Sequence, residues 1–513
     1  MGSVDGWTGR TACALQAAMR MSNEAFAQHL DIGARTVSGW HQKPTLRPQS
    51  EMQQLLDTVL DRASPAIKAR FAELTGERAA PASDAEHRLS ADPNISAALH
   101  WLDHHAGWDP GTARRDVASR LARVDLRQLH DRGTRRGRVD QRRIADALRS
   151  YYPNPPGDYG QYAAAGSLTS VLTRPDWLDL HCSLIPPGDR LTVANTTADV
   201  DVVLSEETAG RAAQRLAETL ALNIRMVDGP LFRLVGIEPS AGAIRGTAEV
   251  TRFVRYALTM DLLEGELVDA IAADAPVAPG ALPLRASYLP DTASVLDLPN
   301  RLCAGGALAL CAIARPADPF RGPADYVLLV QERSGHVVNA ARRLAVIPKG
   351  FHEPLTDYRT DVHIGATLRR EMEEELFGRD DIDSTHGEQL QADPMHPSRL
   401  SDPMRWLMDH LDAFHMECTG FGINLVSGNF EFPGLIVIED EDFWTRFGGQ
   451  IQANWEAASL RQYSSRDRDL LGELAADETW SNEGLFALLQ GIRRLTEVGG
   501  DRVNAPTIEW EVI

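Results

Sequence analysis

Residues 369–378 read RREMEEELFG, which sets four glutamates on barely two turns of helix. Like charges three and four residues apart repel by roughly 0.2–0.5 kcal/mol per pair, so either water or a cation has to absorb the repulsion. Glu371, Glu374 and Glu375 stand at i, i+3 and i+4 and share one helix face, while Leu368, Met372 and Leu376 can face inward. Three carboxylates on one face make a hard oxygen site suited to Mg²⁺ or Mn²⁺. The plain alternative is an exposed, solvated acidic helix, and Glu373, which no such site requires, is an example of that decoration.

The surroundings of this helix alternate between strand-like and helical patterns. Strand-like runs precede it at GALALCAIA (306–314), DYVLLVQE (325–332) and RRLAVIP (342–348), and follow it at GFGINLVSG (420–428) and FPGLIVIED (432–440). An amphipathic helix, NEGLFALLQGIRRL (482–495), closes the set. Within this frame, the segment from Gly350 to Gly378 resembles the signature of the Nudix hydrolases, with Arg370, Glu371, Met372, Glu374 and Glu375 on its core in order. Three departures stand out. Thr356 occupies the upstream glutamate position, Arg370 arrives six residues late, and Phe377 precedes a Gly378 that is one place late.

The resemblance implies an α/β/α sandwich over residues 300–513 that binds a diphosphate-containing or nucleotide-like metabolite. It implies metal ligation by Glu371, Glu374 and Glu375, catalytic parts for Glu374, Glu375 and Arg370, and a ligand-binding Gly350 at the strand-to-loop entry. Arg370 would be structural, and Asp357, Asp361 or Glu353 could replace its missing partner. IEDEDFW (438–444) offers further carboxylates downstream. Because the loop is altered, binding without cleavage is as consistent with these residues as hydrolysis.

At the other end, SNEAFAQHLDIGARTVSGWHQ (22–42) places Ser22 and Asn23 as helix caps, a helix to Leu30, a turn through Asp31–Gly33 and a second helix to about Gln42. Phe26, Ala27, Leu30, Ile32, Val37 and Trp40 occupy the packing positions. The segment resembles the helix-turn-helix of the XRE, or lambda-repressor-like, family, with Asp31 where a glycine is usual. The resemblance implies a second helix in the DNA major groove, where Arg35 would read a guanine edge beside Ser38. Thr36, Gln42, Lys43, Asn23 and Gln28 suit phosphate contacts, together with His41 and Arg47. The same fold also serves as a protein–protein module, and that alternative stays open.

Charge is distributed unevenly. The formal net charge is −20, yet residues 1–150 carry 22 Lys and Arg against 18 Asp and Glu, while the rest carry 30 against 54. A faintly basic head on an acidic body is what a DNA-contacting chain would show. The arginine-dense run DRGTRRGRVDQRR (131–143) could touch a phosphate backbone or form a solvated loop. The five cysteines are scattered and never spaced as CxxC, so no disulfide framework or zinc site is expected. No apolar run reaches the ~18 residues of a membrane span, and the first residues lack a secretion-signal layout, so a cytoplasmic location is expected.

The sequence therefore predicts a multidomain chain. An all-α helix-turn-helix domain (1–78) is followed, after a linker at 73–86, by a small helical unit (87–155), a mixed α/β middle region of unknown role (156–295) and the Nudix-like sandwich (300–513). The expected function is transcription regulation by a DNA-binding homodimer that senses a small phosphorylated metabolite. The alternative is a Mg²⁺-dependent diphosphate hydrolase with an accessory helical head.

Overall fold

The computed structural model describes residues 7–19, 21, 23–30, 32–44, 46–49, scattered positions from 52 to 71, and 82–184, 188–194, 202–224, 226–333, 343–379, 395–451 and 457–513. Two compact units divide the chain: residues 1–86 with 221–223, and the remainder, 87–220 with 224–513. Among the described residues no helix is long and apolar enough to cross a membrane.

In the first unit, helices α1 (Gly9–Ala18), α2 (Asn23–His29) and α3 (Ala34–Gln42) bury one face each. Thr8 opens α1 with a reciprocal capping box to Thr11, which satisfies amides that no helical carbonyl can reach. Trp7, Leu15, Phe26, Leu30, Val37 and Trp40 form the centre of the core. Gly9 lets α1 approach the end of α3, since a Cβ there would lie 2.5 Å from the Lys43 carbonyl oxygen. Ser22 and Asp31, expected at the cap and the turn, lie outside the described residues.

The second unit is built on a large mixed sheet. Its early strands are β1 (Gly160–Ala164), β2 (Ser167–Thr173) and β3 (Leu178–Ser183); β4 (Asp189–Val193), β5 (Pro230–Ser240) and β6 (Ala243–Arg252) form a separate three-stranded sheet in the order β4-β6-β5. The later strands are β7 (Gly305–Arg315), β8 (Asp325–Arg333), β9 (Leu344–Val346), β10 (Lys349–Phe351), β11 (Phe414–Gly420), β12 (Gly422–Asn424), β13 (Asn429–Ile438), β14 (Ala457–Ser464) and β15 (Trp510–Val512). The main path runs β14-β8-β7-β13-β12-β2-β1-β15, with β10 on β7, β9 on β8, and β11 bridging β13 and β3.

Pairings of β12 with β2, β11 with β3 and β1 with β15 join residues before 295 to residues after 300 in one sheet. The sequence pattern separates these segments because periodicity marks strands and is silent about which strands pair. Likewise, helices from 93 to 151 contribute to two different cores. Leu99, Leu102 and Val117 pack with Ala213 and Leu216, while Ile144 and Leu148 join the core beneath the large sheet. The expected linker at 73–86 ends inside a helix, Ala82–Ala91.

Central strand β7 is buried on both faces, as its near-continuous apolar run requires. Leu308 and Leu310 face the helix Asn482–Val498, whereas Ala309, Cys311 and Ile313 share a core with Ile364, Leu368 and Met372. The glutamate-bearing helix therefore lies on one side of the sheet and the C-terminal helix on the other.

Candidate functional site

Helix Ile364–Glu371 continues into a wider π turn over Met372–Leu376, so the simple i, i+3, i+4 face of the sequence is broken where the glutamates cluster. Inserting π geometry rotates later side chains relative to earlier ones, and such turns often accompany functional sites. Each glutamate consequently has its own surroundings. Glu371 accepts from Arg370 Nη2 at 2.8 Å. Glu375, 1% exposed, accepts from the Lys349 amide at 2.7 Å and from Gln331 Nε2 at 3.3 Å. Glu373 is fully buried and takes the Ser401 amide at 3.0 Å and its hydroxyl at 3.1 Å. Burial pushes its pKa up, against the pull of Ser401 and Arg379.

Glu373, expected to be solvated decoration, is thus a buried anchor for the helix that starts at Asp402. Glu374 is the half-buried member of the four, 3.9 Å from Arg370 Nε. Among the described residues no three His, Cys, Asp or Glu side chains converge as a metal-binding group. One oxygen of Glu371 and both oxygens of Glu375 accept from donors within the chain.

Arg370 is buried at the centre of this region. It donates to the carbonyls of Phe351 at 2.9 Å and Glu353 at 3.1 Å, tying the helix to the loop after β10. Burial opposes its charge, but the carboxylates of Glu371, Glu353 and Glu374 hold its pKa above the ordinary value. Asp357 and Asp361, weighed as its partners, are engaged with backbone. Asp361 accepts from the amides of Leu355, Thr356 and Asp357 at 2.8–3.1 Å, and Asp357 accepts from the Arg359 amide. Gly350 packs directly against Glu371, whose carboxyl oxygen would lie 2.0 Å from a Cβ at that position.

Two features escaped the sequence. Asp189 at the start of β4 accepts from the Ile364 amide at 2.6 Å and lies 3.3 Å from His363 Nδ1, so a residue 175 positions away caps the glutamate helix. The adjacent Asp189 carboxylate raises the His363 pKa, while nearby His352, buried and 2.8 Å from the Thr367 hydroxyl, is pushed down to about 3 by desolvation. The second is a polar group on the other face of the sheet. Lys349 Nζ meets Glu483 at 2.5 Å, and Glu483 accepts from Asn424 at 3.1 Å. Burial and the neighbouring Glu483 keep the Glu431 pKa well above the carboxylate range. Nothing local marks these residues, because their partners come from distant strands. The downstream carboxylates of IEDEDFW bind elsewhere: Glu439 to Tyr326, Glu441 to Arg502 and Asp442 to Arg446.

In the first unit, Arg35, Thr36, Gln28 and Lys43 are exposed, Ser38 is half-buried, and a Cβ at Gly39 would meet nothing within 4 Å. Gln42 belongs to α3, and its side chain lies outside the described residues. Asn23, expected at phosphate, accepts from Gln16 Nε2 at 2.8 Å, and the same glutamine's Oε1 lies 2.9 Å from His41 Nε2. Those contacts tie α1 to the start of α2 and the end of α3, which gives Asn23 and His41 a structural part.

The arginine-dense run is helical at both ends, in helices Leu126–Arg136 and Gln141–Tyr151, with a four-residue turn between them. Arg132 pairs with Glu218, Arg136 meets both oxygens of Asp269 at 2.6 and 2.5 Å, and Arg143 meets Asp274 at 2.9 Å. Acidic neighbours from the fold itself thus hold cations that the sequence offered to a phosphate backbone.

Compared with models of known protein families and with curated proteins, the chain matches none.

Proposed function

We propose that this chain is a DNA-binding transcription regulator whose N-terminal helices form an XRE-like helix-turn-helix and whose C-terminal domain, read as Nudix-like, binds a nucleotide-like or diphosphate-containing metabolite. The observation that carries the proposal is the division of α3. Val37 and Trp40 are buried, while Arg35 and Thr36 are exposed and open space stands over Gly39. A helix with polar and basic outward positions and room for close approach suits a major groove. Two heads reading paired half-sites require a homodimer acting in the cytoplasm, and a bound metabolite would change DNA affinity by about 1–3 kcal/mol.

Binding without cleavage is the preferred form of the metabolite domain. Its support is the engagement of Glu371, Glu373 and Glu375 with donors of the chain itself. The alternative, a Mg²⁺-dependent diphosphate hydrolase, draws on Glu374, half-buried beside Arg370. Sequencing DNA that copurifies with the full chain tests the main proposal. Enrichment of one motif, lost with Arg35→Ala, is expected; indiscriminate DNA with both proteins refutes it. Turnover of nucleoside-diphosphate compounds with Mg²⁺, abolished by Glu374→Gln, would establish the hydrolase instead.

A further inference from the structure

The second unit holds a cavity of about 330 Å³ that opens to solvent and is lined by Arg120, Arg123, Val124 and Gln214. Arg120 stands in the last turn of helix Thr112–Leu121, Arg123 and Val124 in the connection to helix Leu126–Arg136, and Gln214 on helix Glu206–Ala221. Two guanidiniums therefore line one space, and no acid is among the residues around it. Val124 is the one apolar lining residue, the reverse of the mostly apolar walls usual in pockets for drug-sized molecules.

Contacts within the fold hold both arginines in place. Arg120 donates from Nε to Asp116 at 2.9 Å and from Nη1 to Gln214 Oε1 at 3.4 Å, and its Nη2 lies 3.5 Å from where a Cβ at Gly210 would stand. Gln214 is oriented in turn, since its Nε2 donates to Glu218 at 2.9 Å and Glu218 is paired with Arg132. Arg123 donates from Nε to the Ser119 carbonyl at 3.0 Å and from Nη2 to the Ser119 hydroxyl at 2.8 Å, both neutral acceptors. Asp116 thus answers one of the two positive charges, and among the described residues no carboxylate answers the other. Asp125, next along the chain, is engaged with the amides of Arg127 and Gln128. Arg120 Nη2 and Arg123 Nη1 are left without an acceptor among the described residues.

We propose that this cavity binds the phosphate of a small phosphomonoester, which accepts from Arg120 Nη2 and Arg123 Nη1 while the rest of the molecule extends through the open side. Guanidinium and phosphate meet through short, charge-assisted hydrogen bonds. Donors from two separate side chains suit a tetrahedral oxyanion, which can turn a different oxygen to each, better than a planar carboxylate matched to a single fork. The volume lies near the lower end of the range for small-molecule pockets, enough for a phosphate with a compact body. None of the lining residues belongs to the glutamate helix or to the first unit, and the inference rests on neither the DNA reading nor the metabolite-domain reading above.

The full chain is titrated with inorganic phosphate by calorimetry at constant ionic strength, and saturable binding is expected. Arg123 is exposed and in no ion pair, so Arg123→Gln should leave the fold intact and weaken phosphate about tenfold, the effect of losing one charge-assisted hydrogen bond. Arg127→Gln, outside the lining, should leave the affinity unchanged. Phosphate held by the metabolite domain would survive Arg123→Gln, so equal affinity in wild type and that variant overturns the proposal, as does the absence of phosphate binding. Duplex DNA whose binding weakens in Arg123→Gln, with no competition from free phosphate, would assign the cavity to a nucleic-acid backbone and overturn it likewise.

Discussion

The carboxyl carbon of Glu371 lies only 2.0 Å from where a Cβ at Gly350 would stand. β10 and the glutamate helix can touch only because residue 350 has no side chain, and the contact fixes Glu371 for its bond with Arg370. Gly350→Ala must displace that carboxylate or the strand, and overpacking of this kind costs about 1–3 kcal/mol. A lowered denaturant midpoint with an unchanged slope is expected; an unchanged midpoint would show that the contact yields freely.

Glu375 should behave as a structural acceptor. Replacing it with alanine leaves the half-buried Lys349 amide without this acceptor, at a cost of about 1–3 kcal/mol, whereas Glu375→Gln keeps an acceptor in place and should cost less. Equal losses in the two variants, read by chemical denaturation, would mean that charge rather than the hydrogen bond matters there.

Acid sensitivity should be reduced by replacing His352. Desolvation lowers its folded pKa to about 3, so between the unfolded value near 6.5 and 3 the unfolded chain binds a proton that the folded chain does not. Stability associated with this residue is complete above pH ~6.5 and is lost as pH falls through that window, at up to ~1.4 kcal/mol per pH unit. His352→Asn should flatten the difference in stability between pH 7 and pH 5 relative to wild type. An identical pH dependence in both proteins would show that folding leaves the titration of His352 unchanged.

For DNA, the two kinds of contact predict different signatures. Arg35→Ala is expected to weaken binding to the selected motif by about 1–3 kcal/mol and to relax preference at one base position. Lys43→Ala should weaken all sequences alike and reduce the slope of log affinity against log salt by about 1. Fluorescence anisotropy across a salt series separates them, and loss of specificity with Lys43→Ala would reverse the assignment.

Arg136→Ala should leave the proposed DNA binding intact. Its guanidinium is committed to Asp269, and the pair, about one-third exposed, should contribute no more than ~1 kcal/mol to stability. A marked fall in DNA affinity would return the arginine run to the nucleic-acid surface.

Much of the N-terminal unit is legible in local spacing. Phe26, Leu30, Val37 and Trp40 stand where helical periodicity puts an inward face, and all four are buried. Apolar runs such as GALALCAIA likewise announce a strand buried on both sides, which β7 is. The glutamates were harder. Their number and spacing draw attention to this helix, but a π turn cannot be read from composition, and neither can the separate partners that Glu371, Glu373 and Glu375 find.

What the sequence determined by itself was the set of elements and their inward faces, since helix and strand periods are properties of neighbouring residues. Only the tertiary structure decided the partners. Asp189 caps Ile364, Glu483 meets Lys349, and Glu218 and Asp269 hold Arg132 and Arg136, each across at least 80 residues of chain. A charged side chain acquires its role from whatever opposite charge, amide or solvent it meets after folding, and that meeting depends on strand order and helix packing, which local pattern does not encode.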